Sequence, residues 1–451
     1  MHDLSNYKSI HFIGIGGISM SGIALALNQK GYTVSGSDNG SNAVLDKLAA
    51  LNITVYREHK ADNIKNADLI VYTGAVSREN PELVQAAANG TTIVKRAELL
   101  GLLMKEYETP IAVSGMHGKT TVTTMISNML LDANRDPTIF VGGNMQRIGG
   151  NYYIGTGNEF VFESDEYQDS FLNFFPKIAV VLNIEEDHPD YFKSIDHILD
   201  SFSRFINLCP SDGLVISCAD NENAMGVLNN YNGRKITYAL YAKADITAQN
   251  ITYNTSGFPE FDIVSDKLNL HIALSVPGIH NVSNALAAFA VACELGIDND
   301  SIKKGFLSFN NSDRRFQYIG KCGEASVFDD YAHHPTEIKS TFDAMSNMNC
   351  KNKICIFQPH TYTRTAALFE SFVTELIKFD KVIITDIYAA READIYNISG
   401  KDLSDKIPHS EYISDFNEIA AYIKSYAKSE DIIVAMGAGD IYKVSELLIN
   451  I

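Results

Sequence analysis

The chain has few of the features that would place it outside an aqueous, reducing compartment. Its six cysteines are scattered and include no C-x-x-C pair, so no disulfide framework is predicted and we expect reduced, buried thiols. The amino terminus lacks the basic segment of a signal peptide. No apolar run approaches the length of a membrane span. These absences predict a cytoplasmic protein without a membrane partner.

Positive charge is also scarce. The chain has 37 lysines and arginines against 55 aspartates and glutamates, a net charge of −18. A field of this sign does not attract nucleic acids or anionic membranes, so neither is predicted as a partner. A local phosphate-binding loop can still hold a nucleotide in an acidic protein.

Strand-like and helix-like segments alternate along the whole chain, which predicts an α/β fold. At 451 residues the chain exceeds one ordinary core, and we predict three domains. The predicted domains are residues 1–107, 108–312 and 313–451. Linkers are predicted at 106–110 and 310–313. Closely spaced strand-like runs between residues 244 and 276 predict a small antiparallel extension of the central sheet.

The predicted strands are 9–13, 32–36, 53–56, 69–72 and 92–95 in the first domain, 160–162 and 178–182 in the second, and 326–329, 353–357, 382–385 and 432–436 in the third. Helices are predicted at 18–29, at 42–50, from 280 to about 309, and at 335–345.

The most informative motif is Ser-Gly-Met-His-Gly-Lys-Thr-Thr at 114–121. It follows an apolar run and precedes a helical pattern, which is the context of a phosphate-binding P-loop, here in the short form G-x-x-G-K-[ST]. Backbone N–H groups of the glycines can face an anion, Lys119 adds positive charge, and Thr120 offers a hydroxyl to Mg²⁺. The alternative is a plain strand–turn–helix with a surface lysine. The central domain is therefore predicted to be a P-loop ATPase domain.

A second glycine-rich loop lies between the first predicted strand and helix. Gly14, Gly16 and Gly17, together with Asp38 at the end of the second strand, are similar to a dinucleotide-binding fingerprint in which Ser19 replaces the third glycine. This pattern predicts a Rossmann-like domain with a nucleotide-diphosphate site, NAD being one of several candidate ligands. The alternative is a tight turn that packs a strand against a helix.

Carboxylates follow two predicted strands of the central domain. Residues 163–167, Glu-Ser-Asp-Glu-Tyr, and residues 183–190, which include His188, lie where ligands bind in α/β sheets. Beside a P-loop such groups can hold Mg²⁺ or its waters. His188 also suits a second metal site or a proton acceptor. The alternatives are a solvated acidic loop and a structural histidine.

Further polar clusters occur near the second boundary and in the third domain. Residues 277–284 open a helix and either cap it or contact a ligand. Residues 313–317 contain Arg315, which either stabilises charge in phosphoryl transfer or belongs to a solvated basic pair. Residues 329–337 and 358–364 follow two strands of a predicted Rossmann-like third domain. They form either a polar binding mouth or two surface loops.

Taken together and in this order, these segments resemble the Mur ligase family of ATP-dependent peptide ligases, from about Ile10 to residues 436–441. The resemblance implies an ATP-dependent ligation of L-alanine to UDP-N-acetylmuramate through an acyl phosphate, in peptidoglycan precursor synthesis. ATP and Mg²⁺ are the implied cofactors. UDP-N-acetylmuramate, L-alanine and ATP are the implied partners, and we expect a monomer or weak homodimer.

The resemblance also implies residue roles. The UDP-sugar would contact Gly14, Gly16, Gly17, Ser19 and Asp38. ATP would contact Gly115, Met116, His117, Gly118, Lys119, Thr120, Thr121, Asn281, Asn284 and Arg315. Mg²⁺ would be held by Thr120, Glu163 and His188, and the amino acid by Tyr331 and His333. Lys119, Arg315, His333 and Arg364 would be catalytic.

Two departures and three alternatives accompany this resemblance. Other branches of the family hold a second Mg²⁺ with a carbamylated lysine, which is not predicted here because no lysine occurs between Lys193 and Lys235. In addition, Thr361 stands where the Pro-His-Arg-Tyr pattern of the family has arginine. A related ligase that recycles a muramyl tripeptide typically has cysteine in the first glycine loop, which this chain lacks. A nicotinamide-dependent oxidoreductase would leave the P-loop unexplained. A P-loop regulatory switch would hydrolyse nucleotide without forming a bond.

Overall fold

The protein is described by a computed structural model over residues 3–40, 43–254, 257–266, 268–309 and 314–449. Three β-sheets, each with helices, confirm the three-domain α/β fold. The predicted linker at 310–313, with the Asp313 end of the 313–317 motif, lies outside the described residues, as does the first residue of the helix predicted at 42–50.

The first sheet has five strands in the order β3-β2-β1-β4-β5, all parallel. Its elements are β1 (Ser9–Ile13), α1 (Ile18–Gln29), β2 (Thr33–Ser37), α2 (Ala43–Ala50), β3 (Thr54–Tyr56), β4 (Leu69–Tyr72), α3 (Pro81–Asn89), β5 (Thr92–Lys95) and α4 (Arg96–Met104). Each of the five strands differs from the predicted strand by at most one residue at either end. Because β1 lies between β2 and β4, the chain reverses direction across the sheet there, and the crevice at the carboxyl end of β1 is the expected ligand position.

The central sheet has ten strands in the order β15-β14-β13-β12-β11-β10-β6-β9-β7-β8. Its strands are β6 (Thr109–Ser114), β7 (Thr138–Met145), β8 (Gly150–Tyr153), β9 (Glu159–Glu163), β10 (Ile178–Val181), β11 (Leu214–Cys218), β12 (Lys235–Ala239), β13 (Ile246–Tyr253), β14 (Pro259–Ser265) and β15 (Asn269–Ala273). Its helices are α5 (Lys119–Asp132), α6 (Ile195–Ile206), α7 (Glu222–Asn229), α8 (Ile279–Glu294) and α9 (Asn299–Leu307). The strands β13, β14 and β15 pair antiparallel, which confirms the predicted extension.

One boundary of this domain differs from the sequence prediction. Thr109 and Pro110 belong to β6 and pair with β9, so the predicted linker at 106–110 ends two residues early. Pro110 lies at the start of the strand, where its missing N–H costs the sheet least, and its carbonyl accepts a hydrogen bond from the amide of Lys177 at 2.8 Å. The helices predicted from residue 280 to about 309 are α8 and α9, and Gly296 adopts a positive φ of 64° between them.

The third sheet has six strands in the order β16-β17-β21-β18-β19-β20. Its strands are β16 (Gln317–Cys322), β17 (Ala325–Asp330), β18 (Lys353–Phe357), β19 (Lys381–Ile384), β20 (Ser410–Tyr412) and β21 (Ile432–Met436). Its helices are α10 (Pro335–Ser346), α11 (Tyr362–Ala367), α12 (Phe369–Leu376), α13 (Gly400–Ser404), α14 (Phe416–Tyr426) and α15 (Tyr442–Ile449). All pairs are parallel except the antiparallel edge strand β16.

The elements pack as their apolar patterns require. Central strands of the three sheets, such as β1, β6 and β21, are buried on both faces, as is typical of parallel sheets covered by helices. All six cysteines are free thiols and four are buried. Among the described residues, no helix is both long and apolar enough to cross a bilayer.

Candidate functional site

The loop between β6 and α5 has the backbone of a phosphate cradle. Gly115 and Gly118 adopt φ values of 140° and 86°, conformations that side chains disfavour. The Asn183 side chain secures the loop from both sides: its Oδ1 accepts from the His117 amide at 2.8 Å, and its Nδ2 donates to the His117 carbonyl at 3.0 Å. The loop therefore presents the amino terminus of α5, where an anion is stabilised.

Lys119, the lysine of this loop, is paired with a buried carboxylate. Its Nζ donates to Glu166 Oε2 at 2.8 Å and to the Gly115 carbonyl at 2.6 Å. Burial alone would lower the pKa of Lys119 and raise that of Glu166, but their mutual attraction reverses both shifts. Lys119 is thus a charged group held at the loop, from which it can turn to a phosphate oxygen.

The two oxygen-bearing residues predicted for Mg²⁺ are adjacent. Thr120 Oγ1 donates to Glu163 Oε2 at 2.8 Å, and the same oxygen accepts from the Gly142 amide at 2.7 Å. Hydroxyl and carboxylate oxygens beside a phosphate cradle fit the hard-oxygen preference of Mg²⁺. His188 lies instead against Glu166, with Nε2 at 3.6 Å from Oε1, so it joins this group through the carboxylate that holds Lys119.

A cavity of about 190 Å³ lies between the central and third domains. It is lined by P-loop residues, by the start of α8, by residues that precede β16 and by residues from the end of β17 into α10. The lining residues include His117, Asn281, Asn284, Arg315, Asp330 and Glu337. The predicted ATP contacts Asn281, Asn284 and Arg315 thus share one cavity with His117, Gly118 and Thr121. Asn284 lies so close to the loop that a Cβ at Gly118 would approach its Oδ1 to 2.6 Å.

Ionisable groups from both domains meet across this cavity. His117 Nδ1 is 3.3 Å from Glu337 Oε1, and Nε2 is 3.7 Å from Glu185 Oε2. Burial would lower the pKa of His117, but these two carboxylates raise it to about 9. Arg315 also approaches Glu337, at 3.6 Å. Burial raises the pKa of Asp330 to about 6.

His117, Glu185 and His334 bring one potential metal-ligand atom each within 4.8 Å of one another. His334 caps α10 by accepting the Thr336 amide at Nδ1, 3.3 Å away. Its neutral ring therefore carries the proton on Nε2, and that nitrogen is a donor. A protonated Nε2 cannot bind a metal, and the carboxylates beside His117 favour its protonated ring as well. The three groups as arranged therefore do not fit a metal site, and the Nε2 atoms of His117 and His334 have no hydrogen-bond partner among the described residues.

The two residues predicted for amino-acid binding in the third domain lie side by side, with the ring centroids of Tyr331 and His333 5.4 Å apart. His333 Nδ1 donates to the Tyr331 carbonyl at 2.8 Å, which leaves Nε2 as a potential proton acceptor. Burial lowers the pKa of His333, so its ring is neutral near pH 7. Arg364 is buried and engages the central domain: its Nη2 donates to Asp187 Oδ1 at 2.8 Å. This pairing keeps the pKa of Asp187 low despite its burial.

The glycine loop of the first domain is shaped by two residues at the end of β2. The Ser37 carbonyl accepts the amides of Gly14 and Ile15 at 2.8 and 3.1 Å. Asp38 Oδ2 accepts the Gly16 amide at 2.9 Å. These loop amides are therefore engaged within the protein, and the first turn of α1 supplies the N–H groups that can face an anion.

Ser19, in that first turn of α1, accepts a hydrogen bond from Arg96 Nη1 at 3.0 Å. Its side chain therefore already has a positively charged partner at the helix end that faces the crevice of the sheet. An anion bound at this turn would find both the helix N–H groups and the Arg96 guanidinium close by.

Several residues of the site were not singled out from the sequence. They are Asn183, Glu185, Asp187, Glu166, His334 and Glu337. All lie in motifs recognised as polar strand ends, where only one or two residues were selected from each. The sequence could have indicated them only by position, because any polar residue at the carboxyl end of a parallel strand is a candidate ligand-binding residue. Which of them meet depends on how the third domain packs against the second.

The fold and site define a three-domain α/β nucleotide-binding protein whose phosphate loop faces a neighbouring domain. Family models match three successive parts: the Mur ligase family, catalytic domain, over residues 9–108, the Mur ligase middle domain over 113–292, and the Mur ligase, glutamate ligase domain, over 314–439.

Full-length relatives agree with these matches. The UDP-N-acetylmuramate–L-alanine ligases of Clostridium tetani and Acetivibrio thermocellus are each 48% identical to this chain, covering 99% of it and 99% and 97% of their own lengths. The chain belongs to the Mur ligase family. The structure of UDP-N-acetylmuramate-alanine ligase from Thermotoga maritima matches with a TM-score of 0.76 at 29% identity, over 98% of each chain. A murein peptide ligase from Psychrobacter arcticus shares the fold, with a TM-score of 0.68 at 24% identity, over 98% of this chain and 99% of its own.

Proposed function

We propose that this chain joins L-alanine to UDP-N-acetylmuramate by an amide bond at the expense of ATP, in the synthesis of peptidoglycan precursors. The observation that carries the proposal is the interdomain cavity, in which the P-loop residue His117 meets Arg315 and Glu337. The likeness to L-alanine ligases along the whole chain supports the same substrates.

The residue inventory suits an acyl phosphate route. A carboxylate is a poor acyl donor until ATP converts it to an acyl phosphate. Lys119 and Arg315 would then offset charge on the transferred phosphoryl group. In this arrangement Lys119 leaves Glu166, which keeps His188 as a neighbour at 3.6 Å. The amides of the P-loop and the start of α5 would hold the remaining phosphate oxygens.

Mg²⁺ belongs to the proposal as a cofactor. Thr120 and Glu163 would hold it directly, and His188 would complete the set through its position beside Glu166. When bound, the ion supplies positive charge that polarises the phosphoryl group.

The second half-reaction needs a free amine. Alanine must lose a proton before it attacks the acyl phosphate, and the neutral His333, with Nδ1 held by the Tyr331 carbonyl, is our candidate acceptor. Arg364 would orient the reacting carboxyl group after exchanging part of its contact with Asp187. Closure of the third domain over the P-loop would exclude water, which hydrolyses acyl phosphates.

The division of labour follows the three sheets. We assign UDP-sugar binding to residues 1–107, ATP binding to 108–312 and amino-acid binding to 313–451. We place the enzyme in the cytoplasm, where its nucleotide substrates are made, as a monomer or weak homodimer without a nucleic-acid or membrane partner.

The decisive experiment measures phosphate release from ATP with UDP-N-acetylmuramate present, with and without L-alanine, glycine or L-serine. We expect release to require the UDP-sugar and to be fastest with L-alanine, and the amide product to appear by mass spectrometry. The tripeptide that a recycling ligase would use serves as the competing substrate. Preferred use of the tripeptide would reject the alanine assignment, and hydrolysis independent of the UDP-sugar would indicate a regulatory switch.

A further inference from the structure

A buried polar cluster underlies the glycine loop of the first domain. Its centre is the carboxylate of Glu82, near the start of α3, which has no solvent exposure. Ser37 Oγ donates to Oε2 at 2.5 Å and Asn63 Nδ2 donates to Oε1 at 2.7 Å. Two histidines flank it, with His59 Nδ1 at 3.3 Å and His11 Nε2 at 3.6 Å.

Burying such a polar cluster costs free energy unless its groups are hydrogen-bonded. A buried carboxylate requires several hydrogen bonds to offset its lost hydration. Here burial would raise the pKa of Glu82, and the contacts of His11, Ser37 and Asn63 outweigh it and lower the pKa. The carboxylate is therefore ionised and both of its oxygens have donors.

Ser37 connects this carboxylate to the loop. Its hydroxyl lies between Glu82 and His59 Nδ1, which is 2.8 Å away. Its carbonyl accepts the amides of both Gly14 and Ile15, and the next residue, Asp38, accepts that of Gly16. The side chain that Glu82 fixes thus belongs to the residue whose backbone sets the start of the glycine loop.

We propose that Glu82 is a positioning residue for the nucleotide-sugar site and acts through Ser37 on the loop Gly14–Gly16. It contributes no contact to the ligand itself. This inference rests on the proposed function, in which the first domain binds the UDP-sugar. Glutamine at position 82 keeps the shape but removes the negative charge and replaces one acceptor oxygen by an NH2 group, so the charge-assisted hydrogen bonds from Ser37 and Asn63 weaken and the end of β2 is held less firmly.

The test compares Glu82→Gln and Ser37→Ala with a matched control, Glu159→Gln. Glu159 is a buried carboxylate of the central sheet, paired with Arg135 at 3.1 Å. We expect Glu82→Gln and Ser37→Ala each to raise KM for the UDP-sugar about tenfold, with kcat and KM for ATP changed less than about twofold. Their double variant should be no worse than the stronger single one, because both remove the same contact. Glu159→Gln should leave all three constants unchanged.

A merely structural Glu82 would not separate KM for the UDP-sugar from kcat and KM for ATP. Folded Glu82→Gln with wild-type KM for the UDP-sugar, or with both KM values raised equally, overturns the inference. Should Glu82→Gln fail to fold, Ser37→Ala decides by the same criterion. Gly16→Leu separates the two failures: if it too leaves KM for the UDP-sugar unchanged, the domain assignment is wrong, and if it alone raises KM, only the role of Glu82 is wrong.

Discussion

The two glycine loops of this chain occupy the same place in their sheets but are held by different chemistry. One follows β1 and opens α1, and the other follows β6 and opens α5. The first is secured by the Ser37 carbonyl and the Asp38 carboxylate, which take its amides. The second is secured by the neutral Asn183 side chain and carries Lys119 and His117, each facing carboxylates.

This difference separates recognition from chemistry. A loop with no cation of its own can hold a diphosphate by helix N–H groups, which contribute about equally in the ground and transition states. A loop with Lys119 beside Thr120 and Glu163 can respond to charge that develops during phosphoryl transfer. Changes in the loop that follows β6 should therefore lower kcat, whereas changes in the loop that follows β1 should raise KM for the UDP-sugar.

The largest effect is expected for Lys119→Ala. Losing this phosphate-directed charge should lower kcat by at least about 10²–10³-fold, the effect of one preorganised group. Phosphate release and amide formation measure it, with the exposed Lys401→Ala as control. Because Glu166 is left buried without its partner, the variant should also lose stability, and Lys119→Ala/Glu166→Gln should regain stability without activity. Near wild-type turnover of Lys119→Ala would reject the phosphate-binding assignment.

A second test asks whether the third domain is independent of both loops. His333→Ala should reduce amide formation by about 10²-fold, the lower end of the range of general base catalysis, and leave ATP affinity unchanged by calorimetry. The exposed His271→Ala is the control. Lost nucleotide affinity in a folded His333 variant, or unimpaired product formation, would contradict this division.

Arg364→Ala should also strongly reduce the rate of amide formation without weakening ATP binding. In addition it removes a buried contact between domains, because Asp187 loses its arginine partner. The variant should therefore lose stability as well as activity, and unlike His333→Ala it should do so even without substrates. Full stability together with full product formation would contradict both roles of Arg364.

Next in size is Gly16→Leu. A Cβ at this position would lie 2.8 Å from Asp38 Oδ2 and 3.1 Å from Leu45 Cδ2, so the loop must shift. We expect KM for the UDP-sugar to rise about tenfold or more while KM for ATP stays near wild type. Gly226→Ala is the control, because nothing lies within 4 Å of a Cβ there. An equal loss of ATP affinity would show that the first loop is not a separate recognition site.

The sequence predicted the elements and the loops far better than their contacts. Parallel strands are apolar runs with clear ends, and both glycine loops are recognisable by spacing, so these features are local. The partner of Lys119 is not local, since Glu166 was one of three carboxylates after β9 and only packing distinguishes them. The Arg364–Asp187 contact joins residues 177 positions apart on different domains, which no local pattern encodes.

The smallest effect concerns pH and affects only the charged loop. The pKa of His117 is about 9 in the folded protein, above its ordinary value of about 6.5. The contacts with Glu185 and Glu337 therefore contribute fully below about pH 6.5 and are lost as the pH rises through 9. Wild-type protein should lose on the order of 3 kcal/mol of stability over this range, seen as a falling Tm. The His117→Gln variant should lose less stability over the same range, because its side chain does not titrate.

Hydrogen exchange tests whether this loss affects the contact between domains. Because Glu337 belongs to the third domain, hydrogen exchange in α5 and α10 should rise with pH beyond its intrinsic pH dependence, whereas exchange in α1 should not. Parallel Tm profiles for wild type and His117→Gln would show that this imidazolium does not hold the two domains together.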